Sequence, residues 1–144
     1  MITVAEYFGA KPHSNALREA AEDLLAAVNG LLVEAEEQGS CAATVCPNTG
    51  TEISGSKGGA GDGGFRLPES ATGAATSSHK EARAVDVYDP VGKLDGWLDR
   101  FEDGAGGNSK LAEHGLYREH PGATRGWCHL TTRAPRSGKR TFQP

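Results

Sequence analysis

Cysteine is scarce in this chain: Cys41, Cys46 and Cys128 are the only three in 144 residues. Three thiols cannot build a disulfide framework. Cys41 and Cys46 could pair or share a metal. With four residues between them and no second cysteine pair, free or buried thiols are the simpler reading. Basic charge is also short. A net charge of −4 argues against nucleic acid as the main partner, because phosphate binding calls for a basic surface. No apolar run is long enough to cross a bilayer. The first residues, Met1 to Glu6, lack a basic region followed by an apolar stretch, so no signal peptide is expected. Apolar residues make up only 37% of the chain and glycines number 20, which predicts a compact core with long loops. The length suits one domain over residues 1–144.

What is present reads as an α+β protein. Leu17, Ala21, Leu24, Val28, Leu31 and Ala35 recur at three- and four-residue steps and predict a long amphipathic helix from about Asn15 to Gln38. Ser14 or Asn15 can cap its start and Gly39 can end it, while Gly30 costs the helix about 1 kcal/mol relative to alanine. Alternation from Ala82 to Tyr88 predicts a short strand, with Ala82, Ala84, Asp86 and Tyr88 on one face. Leu94, Trp97, Leu98 and Phe101 mark a second helix, and Asn108 or Ser109 can cap a third that ends near Gly115. Leu116–Glu119 and Gly126–Thr132 read as two further strands, with Trp127 and His129 on one face and Cys128 on the other.

Two segments break this pattern. Seven glycines fall between Gly50 and Gly64, and the stretch at about 48–64 reads as a flexible loop or edge hairpin. No Gly-Lys-Ser/Thr follows these glycines, which excludes a phosphate-cradling loop. Within the following Gly64-Phe65-Arg66-Leu67-Pro68, Phe65 can anchor to the core while Arg66 points elsewhere. The basic arm at 133–144 reads as solvated, with contact to an anionic polymer, a partner protein or DNA as the alternative.

His79, Asp86 and His129 carry the chemistry. Two imidazoles and one carboxylate form a three-ligand set with room for water, the usual arrangement at a catalytic zinc, whereas a structural zinc is more often closed by four ligands. Such a triple alone is weak evidence, since five histidines generate several. Glu113 and His114 form another acid–imidazole pair, read as surface residues, and His13 is unassigned.

The context strengthens the set. Ser77-Ser78-His79 with Asp86 seven residues on, a helix, and then Trp127-Cys128-His129 in a late strand resemble the zinc D-Ala-D-Ala carboxypeptidases and related cell-wall endopeptidases, which share the fold of the Hedgehog signalling domain. These segments span about Gly64 to Thr132. The chain looks most like small phage-encoded members, through Ile2-Thr3-Val4, Glu6-Tyr7-Phe8, Gly126-Trp127-Cys128-His129 and Pro135-Arg136-Ser137-Gly138-Lys139-Arg140. The resemblance implies a small antiparallel sheet with a long N-terminal helix and two shorter ones. It also implies Zn²⁺ on His79, Asp86 and His129, and a peptidoglycan peptide as substrate. Arg66 matches an arginine implied to hold a substrate carboxylate or carbonyl, where the alternative is a surface salt bridge; Trp127 would line the substrate site. Ser78 would brace the first ligand through its hydroxyl. A phage origin implies synthesis in the bacterial cytoplasm and action at the cell wall, after phage-assisted export or within a virion.

One position departs from the family. An acid usually stands three residues before the last zinc ligand and acts as general base, but here that residue is Gly126. Glu119 and His120 are the nearest substitutes, the alternative being an exposed strand end. Gly126 therefore also favours a second class, an inactive zinc-fold protein that binds cell-wall peptide or belongs to a phage particle.

Overall fold

The computed structural model describes residues 1–39, 44–56, 63–72 and 77–144. Cys41 and part of the glycine-rich stretch lie outside them. The chain opens on a short helix, α1 (Val4–Phe8), held by a reciprocal cap: the Glu6 N–H donates to Thr3 Oγ1 at 3.1 Å and the Thr3 N–H to Glu6 Oε1 at 2.8 Å. Helix α2 (Asn15–Glu37) starts on the Ser14 hydroxyl and buries Ala21, Leu24, Leu25, Val28, Leu31, Leu32 and Ala35. This is the apolar stripe expected from the spacing. Gly30, a blemish by helix propensity, lies beneath the His114 ring, where a Cβ would sit 3.3 Å from Nδ1.

Strands β1 (Ala84–Tyr88), β2 (Tyr117–Glu119), β3 (Trp127–Thr131) and β4 (Thr141–Phe142) form one sheet in the order β1-β3-β2-β4. The first three are antiparallel, and β4 runs parallel to β2. The sheet is therefore mixed rather than the purely antiparallel one expected. Helices α3 (Lys93–Asp99) and α4 (Ser109–Glu113) fill the connection between β1 and β2, with the Asn108 side chain capping α4.

Alternation divides the sheet into two faces. Val85, Val87, Cys128 and Leu130 turn inward and are fully buried. Arg118 points the same way and is 1% exposed, yet it is completely paired. Its guanidinium bonds to Asp95 at 2.8 Å, Asp99 at 2.5 Å and Glu102 at 2.9 Å, and Nε bonds to Thr141 Oγ1 at 3.0 Å. Burial pushes the Asp95 carboxyl up, although the Arg118 charge opposes it. One buried charge thus fastens α3 and β4 to β2.

The C-terminal arm departs from the solvated expectation where it forms β4. Arg140 stacks on the Tyr117 ring at 4.2 Å and donates to the Leu116 carbonyl at 3.1 Å. The outer edge of β1 is also covered. Ser54 N–H donates to the Asp86 carbonyl and Tyr88 N–H to the Glu52 carbonyl, both at 2.8 Å.

Candidate metal centre

The other face of the sheet carries the candidate site. In the β1–β3 register Asp86 stands opposite His129, and Tyr88 stands opposite Trp127. His79 reaches the same point from the turn before β1. Asp86 Oδ1 lies 2.8 Å from His129 Nδ1 and 3.4 Å from His79 Nε2. Among the described residues these three offer ligand atoms within 4.8 Å of one another, so they could hold a metal ion.

The donor set fits a divalent cation because its protonation is already arranged. His79 Nδ1 lies 3.0 Å from the Gly64 carbonyl, which can only accept, so Nδ1 carries the proton. In the neutral ring Nε2 is then the unprotonated nitrogen, and it faces Asp86. Burial works to raise the Asp86 pKa, but the charge of His79 and hydrogen bonds from both histidines outweigh it, leaving the carboxyl well below its usual range. Burial likewise works to lower the His129 pKa. Its bond to Asp86 and the charges of Asp86 and Glu119 prevail, so the net shift is upward. Without an ion, Asp86 accepts from His129 Nδ1–H, and from His79 Nε2 only while that ring is doubly protonated; a cation would take the place of these protons.

A tetrapeptide at the end of the glycine-rich stretch braces these ligands. Gly63 accepts from the Asp86 N–H at 2.8 Å and donates to the Ser54 carbonyl at 3.0 Å. A Cβ on Gly63 would meet Ser54 O at 2.4 Å and Asp86 Cβ at 2.9 Å, so only glycine fits this approach. Gly64 supplies the carbonyl for His79. Phe65 is fully buried and packs on Phe8 at 5.1 Å between ring centres, the anchoring expected of it. Arg66 donates its N–H to the His79 carbonyl at 3.2 Å and turns its guanidinium to Asp86 Oδ2 at 3.6 Å.

The expected brace from Ser78 is a correction. The His79 ring donates its Nδ1–H to the Gly64 carbonyl instead, and Ser78 contributes its own carbonyl to the turn, accepting from Arg83 N–H at 2.9 Å. Sequence spacing could not find Gly63 and Gly64 as supports, because their partners lie about 15–23 residues away in a contact no local pattern encodes.

A cleft of about 320 Å³ opens beside the ligands, lined by Ser54, Gly55, Ser56, Gly63, Arg66, Asp86 and Trp127. Arg66 and Trp127 therefore share one wall system with a candidate ligand. The Tyr117–Thr131 and Arg118–Leu130 pairs place the next residue of β2, Glu119, opposite His129 on the same face. His120 lies past the strand end, exposed, with Nδ1 accepting the Gly122 N–H at 3.0 Å. Of the two, Glu119 is the one aligned with the site. Gly126 has φ +99°, a backbone region that disfavours glutamate or aspartate, and its carbonyl accepts from Asp89 N–H at 2.9 Å.

Cys128 is buried on the opposite face, away from the ligands. A second group, Glu34, Glu113 and His114, also clusters. There the Lys110 ammonium pairs with Glu34 and lies 2.9 Å from Glu113, so a resident cation already joins α2 to α4. His114 is half-buried in this cluster, with Nε2 3.2 Å from Glu34, rather than a plain surface residue. No helix among the described residues is long and apolar enough to cross a membrane.

Comparison with protein-family models, curated proteins and solved structures finds no match to this chain.

Proposed function

We propose that the chain is a zinc-dependent peptidase that hydrolyses amide bonds in bacterial peptidoglycan peptides, with His79, Asp86 and His129 as the metal ligands. The observation that carries this reading is the convergence of two imidazole nitrogens on one carboxylate, that of Asp86, which itself lines a cleft, with Glu119 opposite His129. When bound, zinc supplies Lewis acidity and makes a water acidic enough to ionise near neutral pH. The protein's own groups do the rest. Arg66, on the outer side of Asp86, orients the peptide by its carboxylate or carbonyl oxygen. Glu119 takes the proton from the attacking water and returns it to the leaving amine, the work assigned to an acid at the position Gly126 occupies in the related enzymes. Trp127 packs the peptide against the cleft wall. The motif resemblance supports the substrate class and a phage origin.

Gly126 supports a second reading, in which the chain keeps the metal site but only binds wall peptide or a phage-particle partner. Amine release from purified peptidoglycan separates the two. The peptidase reading predicts release that needs zinc, disappears in His129→Ala and falls at least a hundredfold in Glu119→Gln. Zinc-loaded protein that releases no amine sinks the hydrolase and leaves the binder.

A further inference from the structure

The site face holds a row of four residues, one from each strand. Asp86 pairs with His129, His129 stands opposite Glu119, and Glu119 pairs with Phe142. Phe142 and His129 lie two strands apart, which by strand spacing alone separates their backbones by about 9–10 Å. Their ring centres are nevertheless 6.4 Å apart, with the planes at 85°. The rings therefore lean toward each other across β2, the strand that carries Glu119 between them. The backbone repeats the arrangement. Arg118 N–H donates to the Arg140 carbonyl and His120 N–H to the Phe142 carbonyl, both at 2.8 Å, so β4 bonds to β2 on either side of Glu119.

We propose that β4 is a working part of the metal centre and that Phe142 is a positioning residue for His129 and Glu119. The inference rests on reading His79, Asp86 and His129 as a metal site. His129 is held from two directions. In the metal-free protein Asp86 fixes Nδ1 by a hydrogen bond whose proton a bound ion would replace, and the Phe142 edge-on contact limits the tilt of the ring. Loss of the Phe142 ring leaves Asp86 in place but frees the His129 ring plane, and ligand orientation set by outer contacts is worth about 10–100-fold in metal affinity. The same loss opens space beside Glu119. The basic arm is then the tether that brings this ring to the site, through Arg140 on Tyr117 and the Arg140 N–H on the Gly106 carbonyl at 2.9 Å.

Thr141 supplies a matched control, because it belongs to the same strand but faces Arg118 and Glu102 on the opposite side. The test compares Phe142→Ala, Phe142→Tyr and Thr141→Ala. Zn²⁺ affinity is measured by competition with a chelator, and ligand geometry by the visible spectrum of the Co²⁺-loaded proteins. The proposal predicts that Phe142→Ala stays folded, loses Zn²⁺ affinity about tenfold and changes the Co²⁺ spectrum. Phe142→Tyr should restore both, and Thr141→Ala should lower the melting temperature while leaving both unchanged. Wild-type affinity and spectrum in Phe142→Ala would overturn the proposal, as would an equal loss in Thr141→Ala. If the unaltered protein binds neither ion, the metal reading fails and takes the proposal with it. If Phe142→Ala behaves as predicted while no variant releases amines, Phe142 keeps its role and only the peptidase reading falls.

Discussion

Replacing Gly63 by alanine should damage the proposed metal centre more than its size suggests. The added Cβ would lie 2.4 Å from the Ser54 carbonyl oxygen and 2.9 Å from Asp86 Cβ, against ordinary contact beginning at 3.4 Å. The backbone must therefore open by about 1 Å on one side and about 0.5 Å on the other, both more than a metal–ligand distance tolerates. Opening also strains two hydrogen bonds, Gly63 N–H to Ser54 O and Asp86 N–H to Gly63 O. Overpacking costs about 1–3 kcal/mol and the weakened bonds about 1 kcal/mol more, so the metal-free protein should lose about 2–4 kcal/mol. At this chain length that is a fall in Tm of about 10 °C. Zn²⁺ affinity should drop at least about tenfold as Asp86 moves off the two histidines. Thermal melts of the metal-free protein and chelator competition measure the two effects. Gly96→Ala is the control: that glycine is exposed in α3 with nothing within 4 Å of a Cβ, and alanine there should stabilise by up to about 1 kcal/mol. A Gly63→Ala protein with wild-type Zn²⁺ affinity would refute the reasoning.

Two further outcomes follow from the charges. In the metal-free protein the raised His129 pKa means that its pairing with Asp86 stabilises fully below the ordinary histidine value of about 6.5, and that this contribution fades as pH rises through the raised value. The depressed Asp86 pKa contributes above about pH 4 and is lost as pH falls through the depressed value. A metal ion competes with the His129 proton, so the rise in Tm on adding Zn²⁺ should grow from pH 6 to pH 8; a constant or shrinking rise would contradict the assigned ligand. On the other face, Arg118→Met leaves Asp95 buried without its partner and should cost about 3–5 kcal/mol in urea denaturation. A loss below about 1 kcal/mol would show that the cluster does not fasten α3 and β4.

Periodic elements were the legible part of the sequence. The stripe from Leu17 to Ala35 marks α2 to within a residue, because a helix buried on one side writes its period into the chain. The alternation around Asp86 and the Trp127-Cys128-His129 string places Asp86 and His129 on strand faces, and the structure pairs them directly. Contacts made at a distance by backbone atoms or short strands left no such trace. Strand β4 has two residues, too few for a period, and pairs parallel with β2 through a loop that reads as an ordinary basic tail. The Gly64 carbonyl that orients His79 has no side chain to signal it. The glycine-rich stretch reads as loop by composition, yet Gly63 is there because nothing larger fits against Asp86. Arg118 looks like a solvent residue in a short strand, and only the arrival of Asp95, Asp99 and Glu102 from α3 and its C-terminal side makes its burial tolerable.

The most direct test of the central claim is a Zn²⁺ titration of the purified chain beside Asp86→Ala and His129→Ala, read by calorimetry with a chelator competitor. A three-ligand centre predicts one equivalent bound per unaltered chain, with proton release that increases as pH falls from 8 toward 6. Each variant should lose at least about a hundredfold in affinity while Lys110→Met, at the other acidic cluster, leaves the tight site unchanged. Binding that survives both ligand substitutions, or no stoichiometric binding at all, would contradict the assignment of His79, Asp86 and His129 as a metal centre.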